Sequence, residues 1–436
     1  MAHWLLTINV IDGPLPFAVW GLTIAALVVL AARRRKRRTL RRVVAVVVAG
    51  VVVGAGAVLM LNATLALGSP LPGGSAWWAG GCLAAMGLAI TSLWDARTWR
   101  RVLAGVTLLL VLASTALGAN AMFGIERTIG DVLDISTLEQ ADQLPAPQPD
   151  DDVDEPLYLH WSPPTDMPKA GEVLQLSGDY AIPSTAGFVP RDASIYLPPA
   201  ALVEDPPDLP VVVHMMGKPG APNPEFVQDA LDAMAAKHSG LAPIVIVADQ
   251  LGDPDQNPGC VDSTAFGGVA TYFNEDIPAY IRGNLNVIED PVYWSISGYS
   301  NGGACAFTWA AQHPELWGNL ISISGEEYAG TEEPDTVLEE VFHDDAGAYE
   351  ASRPAAQLTK NAGRFDGHVA VFTAGERDTL FVEQAERSAV LAEDAGFTTT
   401  AFIVPGADHV ASALQGGLAK AFDVLYPHLG LAPPAR

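Results

Sequence analysis

Four apolar runs crowd into the first 123 residues, at 15–32, 43–67, 76–93 and 102–123. Each approaches the ~20 residues a helix needs to cross the hydrocarbon core of a bilayer. From Val43 to Leu67 the only polar side chains are Asn62 and Thr64. A helix built from that run has no polar face to turn toward water. A secretory signal carries one apolar segment behind its charges, and four in series exclude that reading. The runs predict four membrane spans, with residues 1–123 as a transmembrane region.

The loops between the runs carry an orientation signal. Arg33–Arg42 holds eight positive charges. Asp95–Arg101 holds Arg97, Arg100 and Arg101, whereas Gly68–Ser75 holds none. Basic loops stay on the cytoplasmic side, so the N-terminus and everything after the fourth run are expected outside the cell membrane. Trp77, Trp78, Trp94 and Trp99 fall at span ends, where amphipathic rings favour the headgroup region. The basic stretch resembles a nucleic-acid signal in composition, but its place between two spans makes topology the better explanation. No ionisable residue lies well inside a run, which argues against an ion or proton path and for anchoring.

Charge divides the chain in the same place. Residues 1–119 hold eleven basic and two acidic residues, a net of +9; residues 120–436 hold thirteen and 48, a net of −35. So acidic a domain would repel a phosphate backbone, so no nucleic-acid partner is expected. Residues 124–156 are acidic and proline-rich and are expected as an extended, solvated linker. Residues 157–436 are expected as one soluble extracytoplasmic domain.

Within that domain short β-rich runs alternate with helical patterns. Ser194–Leu197, Val211–His214, Ile244–Ala248, Val292–Ser297, Leu320–Ser324, Val369–Thr373 and Thr399–Val404 read as strands. Phe226–Lys237, Tyr272–Arg282, Gly303–Gln312, Glu383–Ala395 and Leu414–Leu425 read as helices. Such alternation predicts an α/β fold, a mostly parallel sheet with helices on both faces. Ligands then bind at the carboxyl ends of the strands.

The strongest local signal is Gly298-Tyr299-Ser300-Asn301-Gly302, between a strand pattern and a helix pattern. A serine on a sharp strand-to-helix turn needs neighbours without side chains, so Gly298 and Gly302 let the backbone fold tightly and the hydroxyl project. The start of the helix favours negative charge developing beside it. A serine alcohol is a poor nucleophile without a base. His409 follows the run ending at Val404 and precedes the last helical pattern. The orienting acid should lie between serine and histidine. Asp378 does so directly after a strand, with Glu376 as the alternative. Two backbone N–H groups must meet the oxyanion: Asn301 after the nucleophile, and Met216, or alternatively Gly217, from the loop after Val211–His214. His214 is then structural.

Together these residues resemble the bacterial esterase family that includes esterase D, enterochelin esterases and the antigen 85 mycolyltransferases. The likeness covers about 190–430. It rests on the His214 strand and loop, Gly-Tyr-Ser-Asn-Gly-Gly at 298–303, Gly-Glu-Arg-Asp at 375–378 and Gly-Ala-Asp-His at 406–409. Thr271-Tyr272-Phe273 and Glu275–Ile281 resemble the helix entering the nucleophile strand of these enzymes. The resemblance implies the α/β-hydrolase fold, Ser300 as nucleophile, Asp378 as acid, His409 as base, and Met216 with Asn301 as oxyanion donors. The family usually has glycine where this chain has Met215.

Three functions follow as expectations: an esterase acting on ester or acyl-lipid substrates, an acyltransferase using the same acyl-enzyme, and a non-catalytic surface protein that retains the fold. No cofactor is called for. The three cysteines lack zinc-ligand spacing, so no metal is expected. Cys260 and Cys305 can pair in an oxidising compartment or stay as buried thiols.

Overall fold

Each apolar run folds as a helix in the computed structural model, which describes residues 3–32, 37–64, 70–94, 97–148 and 155–434. The helices are α1 (Pro14–Ala31), α2 (Arg37–Thr64), α3 (Ser75–Ser92) and α4 (Thr98–Phe123). By length and composition α1, α2 and α4 are apolar enough to cross a membrane. The third expected span, 76–93, differs: α3 has the length, but Trp77, Trp78 and three glycines dilute its apolarity. Arg33–Lys36 and Asp150–Asp152 lie outside the described residues, and Arg37–Arg42 form the first turns of α2 rather than a loop.

Small residues explain how closely α3 packs against α2. Gly50 and Gly54 are four apart on α2, and a methyl at Gly54 would stand 2.5 Å from the Ala79 carbonyl oxygen. Only glycine lets the two backbones approach so closely, the usual device where lipid supplies no hydrophobic drive between helices. Between α1 and α4 the Thr23 and Ser114 hydroxyls lie 2.8 Å apart and buried.

The chain divides into two compact units, Met1–Thr137 with Asp408–Ser412, and Leu138–Ala407 with Ala413–Arg436. The second is built on nine strands: β1 (Glu139–Gln140), β2 (Glu172–Leu176), β3 (Ala193–Leu197), β4 (Val211–Met215), β5 (Ile244–Ala248), β6 (Trp294–Tyr299), β7 (Asn319–Ile323), β8 (Val369–Gly375) and β9 (Thr398–Val404). Their order across the sheet is β1-β2-β3-β5-β4-β6-β7-β8-β9. Only β3 runs against its neighbours; the other pairs are parallel. This reversed early strand, the β5–β4 exchange and the parallel run beyond them are the topology of the α/β-hydrolase fold. Every residue of β4 to β8 is buried, as expected for parallel strands covered on both faces. The seven strands expected from sequence all form.

Of the linker expected at 124–156, the described residues up to Thr137 belong to the first unit. Leu138 onward belongs to the second unit, and β1 pairs with β2 in register Glu139↔Leu174. Beyond it, Asn286 donates its backbone N–H to the Pro145 carbonyl at 3.0 Å. Its Oδ1 accepts the Gln148 N–H at 2.9 Å. Proline density therefore marks a strap along the sheet edge here.

Candidate active site

Ser300 stands between β6 and helix α5 (Asn301–Gln312), at φ +53° and ψ −118°. That region is costly for a residue with a Cβ and persists only where its surroundings enforce it. The glycines around it have a measurable cause. A methyl at Gly298 would lie 2.1 Å from the Gly302 carbonyl, and one at Gly302 would lie 2.6 Å from the Met216 carbonyl oxygen. The Ser300 N–H donates to the Ile323 carbonyl of β7 at 2.9 Å, while its carbonyl accepts from Gly303 and Ala304 to open α5.

The loop after β4 lies against this turn. Met216 is buried. A methyl on Gly217 would come within 3.1 Å of the Ser300 Cβ. Both candidate donors of the oxyanion loop are thus next to the serine, as Asn301 is by sequence. His214 is fully buried within β4 and its Nδ1 lies 2.8 Å from the Ser297 hydroxyl. Burial pushes its imidazole down to about 3. It is neutral at physiological pH and committed to its neighbour strand, which is a structural role.

Asp378 follows β8 and precedes helix α6 (Thr379–Ala395). It is 2 % exposed, whereas Glu376 is exposed and accepts the Gly406 N–H at 2.6 Å. The Asp378 side chain does not cap the helix it precedes. Burial, and then the negative charges of Asp378 and Glu332, push the Tyr299 phenol above its ordinary value. Asp378 is therefore electrostatically close to the residue beside Ser300. The Asp378 and His409 loops are zipped together as far as Ala407: Glu376 N–H donates to the Val404 carbonyl at 3.0 Å, and Arg377 N–H to that of Ala407 at 2.9 Å. His409 is two residues further on, in the stretch Asp408–Ser412 that clusters with the N-terminal unit.

Cys260 and Cys305 are bridged, with Cα atoms 5.1 Å apart and a separation of 45 in sequence. The bridge ties the loop after β5 to helix α5. Closing a loop of this length constrains the unfolded chain, and reduction should lower stability by about 2–4 kcal/mol. Thermal unfolding with and without a reductant measures this, and an unchanged midpoint would contradict it.

Two features carry no motif and were not legible beforehand. Glu326, 5 % exposed just past β7, accepts the Thr331 N–H at 2.9 Å. Burial and then Glu332 push its carboxyl up to about 8. A chain of amides, the buried Gln250 and Asn301 and the half-buried Asn257, starts from the Met216 carbonyl in the loop after β4. Among the described residues no cluster of metal-ligating side chains is found.

Residues 190–415 match the Esterase family, a stretch that holds Ser300, Asp378 and His409. An uncharacterized protein of Corynebacterium glutamicum is 35% identical over 256 residues, 57% of this chain and 60% of that one. The match thus spans less than two thirds of that relative. Among solved structures, an S-formylglutathione hydrolase of Agrobacterium tumefaciens is similar at 20% identity and a TM-score of 0.47, over 62% of this chain and 98% of its own. MPT51 of Mycobacterium tuberculosis is similar at 13% identity and a TM-score of 0.42, over 58% and 97%. With the family matched over more than half its length, this chain belongs to the Esterase family.

Proposed function

We propose that the protein is a membrane-anchored serine esterase that works through an acyl-enzyme on Ser300, with His409 as base and Asp378 as orienting acid. Supporting this above all is the strained position of Ser300 between a buried strand and a helix start, within a chain of the Esterase family. In this reading Ser300 Oγ adds to the ester carbonyl carbon while His409 takes its proton. The oxyanion lies against the N–H groups of Asn301 and of Met216, or alternatively Gly217. The C–O bond to the leaving alcohol then breaks, and that alcohol takes the proton from His409. Water gives a proton to His409 and attacks the acyl carbon; the acid leaves and Ser300 recovers its proton.

The test is hydrolysis of short p-nitrophenyl esters by the full-length protein in detergent, together with labelling by a fluorophosphonate. Absence of both would sink the reading. If added alcohols divert the acyl group faster than water does, the enzyme is a transferase using the same residues.

The catalytic unit is proposed to lie outside the cell membrane, anchored by α1 to α4 with α3 crossing as the others do, since three crossings from an outside N-terminus would end inside. The basic loops and the Cys260–Cys305 bridge both support this, since disulfides persist in oxidising compartments. A reporter enzyme that works only outside the membrane, fused after Arg436, should be active. Activity only from a cytoplasmic reporter would reverse the topology.

A further inference from the structure

The side chain of Gln250 follows β5 and is buried, 3 % exposed. Its Nε2 donates to the Met216 carbonyl at 2.7 Å and to Asn301 Oδ1 at 3.1 Å. Met216 and Asn301 are the two residues from which the oxyanion donors are drawn, and they come from different strands. One amide group therefore joins the two halves of the oxyanion hole. We propose that Gln250 is the positioning residue of that hole, acting through the Met216 carbonyl and the Asn301 side chain and not on the substrate. The inference rests on the Ser300 reading above.

The chemistry is consistent at every link. An amide NH₂ has two donors, and both partners here are acceptors. Asn301, having accepted from Gln250, turns its own Nδ2 to Asn257 Oδ1 at 3.2 Å. Asn257 Nδ2 passes the chain to Glu333 Oε1 at 3.3 Å, which also takes Lys218 Nζ. Lys218 is two residues past Met216, so the chain begins and ends on the same loop. Holding the Met216 carbonyl also orients the trans peptide that follows, whose N–H belongs to Gly217. The Gly217 N–H thus takes its direction directly from the carbonyl that Gln250 holds, and the Met216 N–H is tethered one rotatable residue away.

The base of this clamp is itself rigid. Asp249, beside Gln250, accepts from Arg191 Nε at 3.1 Å and Nη2 at 2.9 Å, and from the N–H groups of Leu251 and Gly252 at 3.0 Å each. Arg191 also donates to the Gly220 carbonyl, the far end of the oxyanion loop. The Cys260–Cys305 bridge closes the other end of the segment that carries Gln250 and Asn257. Preorganised donors need such support, because a loosely held N–H stabilises developing charge no better than water does.

Gln250→Met keeps the length of the side chain and removes both hydrogen bonds. Loss of one direct oxyanion donor costs about 10²–10³ in kcat, so loss of its positioning should cost about 10–100-fold in kcat with KM changed less than about threefold. Inhibition by a trifluoromethyl ketone, whose adduct carries the oxyanion, should weaken in step with kcat/KM. Wild-type kcat and unchanged inhibition in a folded Gln250→Met protein would make Gln250 a packing residue only. If that variant does not fold, Asn257→Ala, one link further along, should show a smaller loss with the same kcat-against-KM split, and wild-type kcat there would overturn the proposal. Activity persisting in Ser300→Ala would instead remove the underlying reading, so the two failures are told apart.

Discussion

Replacing Ser300 by alanine should remove ester hydrolysis by about 10⁶-fold, the scale on which serine nucleophiles act in triads of this kind. That corresponds to about 8 kcal/mol of transition-state stabilisation. The reason is local. The hydroxyl projects from a backbone at φ +53° that the packing of Gly298 on Gly302 enforces, so neighbouring hydroxyls cannot replace it. Ser297, three residues earlier, is fully buried with its hydroxyl on His214. Fluorophosphonate labelling should disappear along with turnover, and the unfolding temperature should hold, since alanine keeps the Cβ and with it the same backbone cost. Wild-type turnover in Ser300→Ala would move the nucleophile elsewhere and take the acyl-enzyme mechanism with it.

The parts of the fold legible in the sequence are those written by local physics. Val211–Val213 and Ile244–Ala248 are apolar throughout because both faces of a parallel strand are covered. The glycines at 298 and 302 stand where a Cβ has no room. What stayed hidden depends on partners far away in the chain. Strands β1 and β2 carry Glu139, Gln140, Glu172 and Gln175, a polar pattern that reads as loop until an edge position explains it. The strap at Pro145–Gln148 is held by Asn286, about 140 residues further on, which no window of sequence reveals. Gln250 is one amide in a loop; its meaning comes only from meeting Met216 and Asn301. Helix α3 was read as a span from its length, yet its glycines serve packing against α2 as much as they dilute apolarity. The Cys260–Cys305 pairing, open from sequence, was decided by the loop after β5 crossing the nucleophile helix.

Asp378→Asn should lower kcat by about 10⁴-fold, the cost of the same exchange in the serine-protease template, while Glu376→Gln should change it less than about threefold. Both acids follow β8, and their surroundings separate them. Glu376 is exposed, and its carboxylate is spent on the Gly406 N–H at 2.6 Å. Glutamine retains an oxygen that can accept the same bond, so the loop keeps its shape. Asp378 is 2 % exposed, does not cap its helix, and lies near enough to Tyr299 for its charge to act on that phenol. A buried carboxylate beside the nucleophile turn is suited to holding an imidazole in one tautomer and to stabilising the imidazolium that forms. Asparagine has nearly the same shape and presents an NH₂ where an acceptor is needed, so the base is turned the wrong way although the fold survives. The two variants should unfold within a few degrees of the wild type, which separates a lost mechanism from a lost fold. Measured kcat values ranked the other way, with Glu376→Gln severe and Asp378→Asn mild, would transfer the acid to Glu376 and leave Ser300 and His409 in their roles.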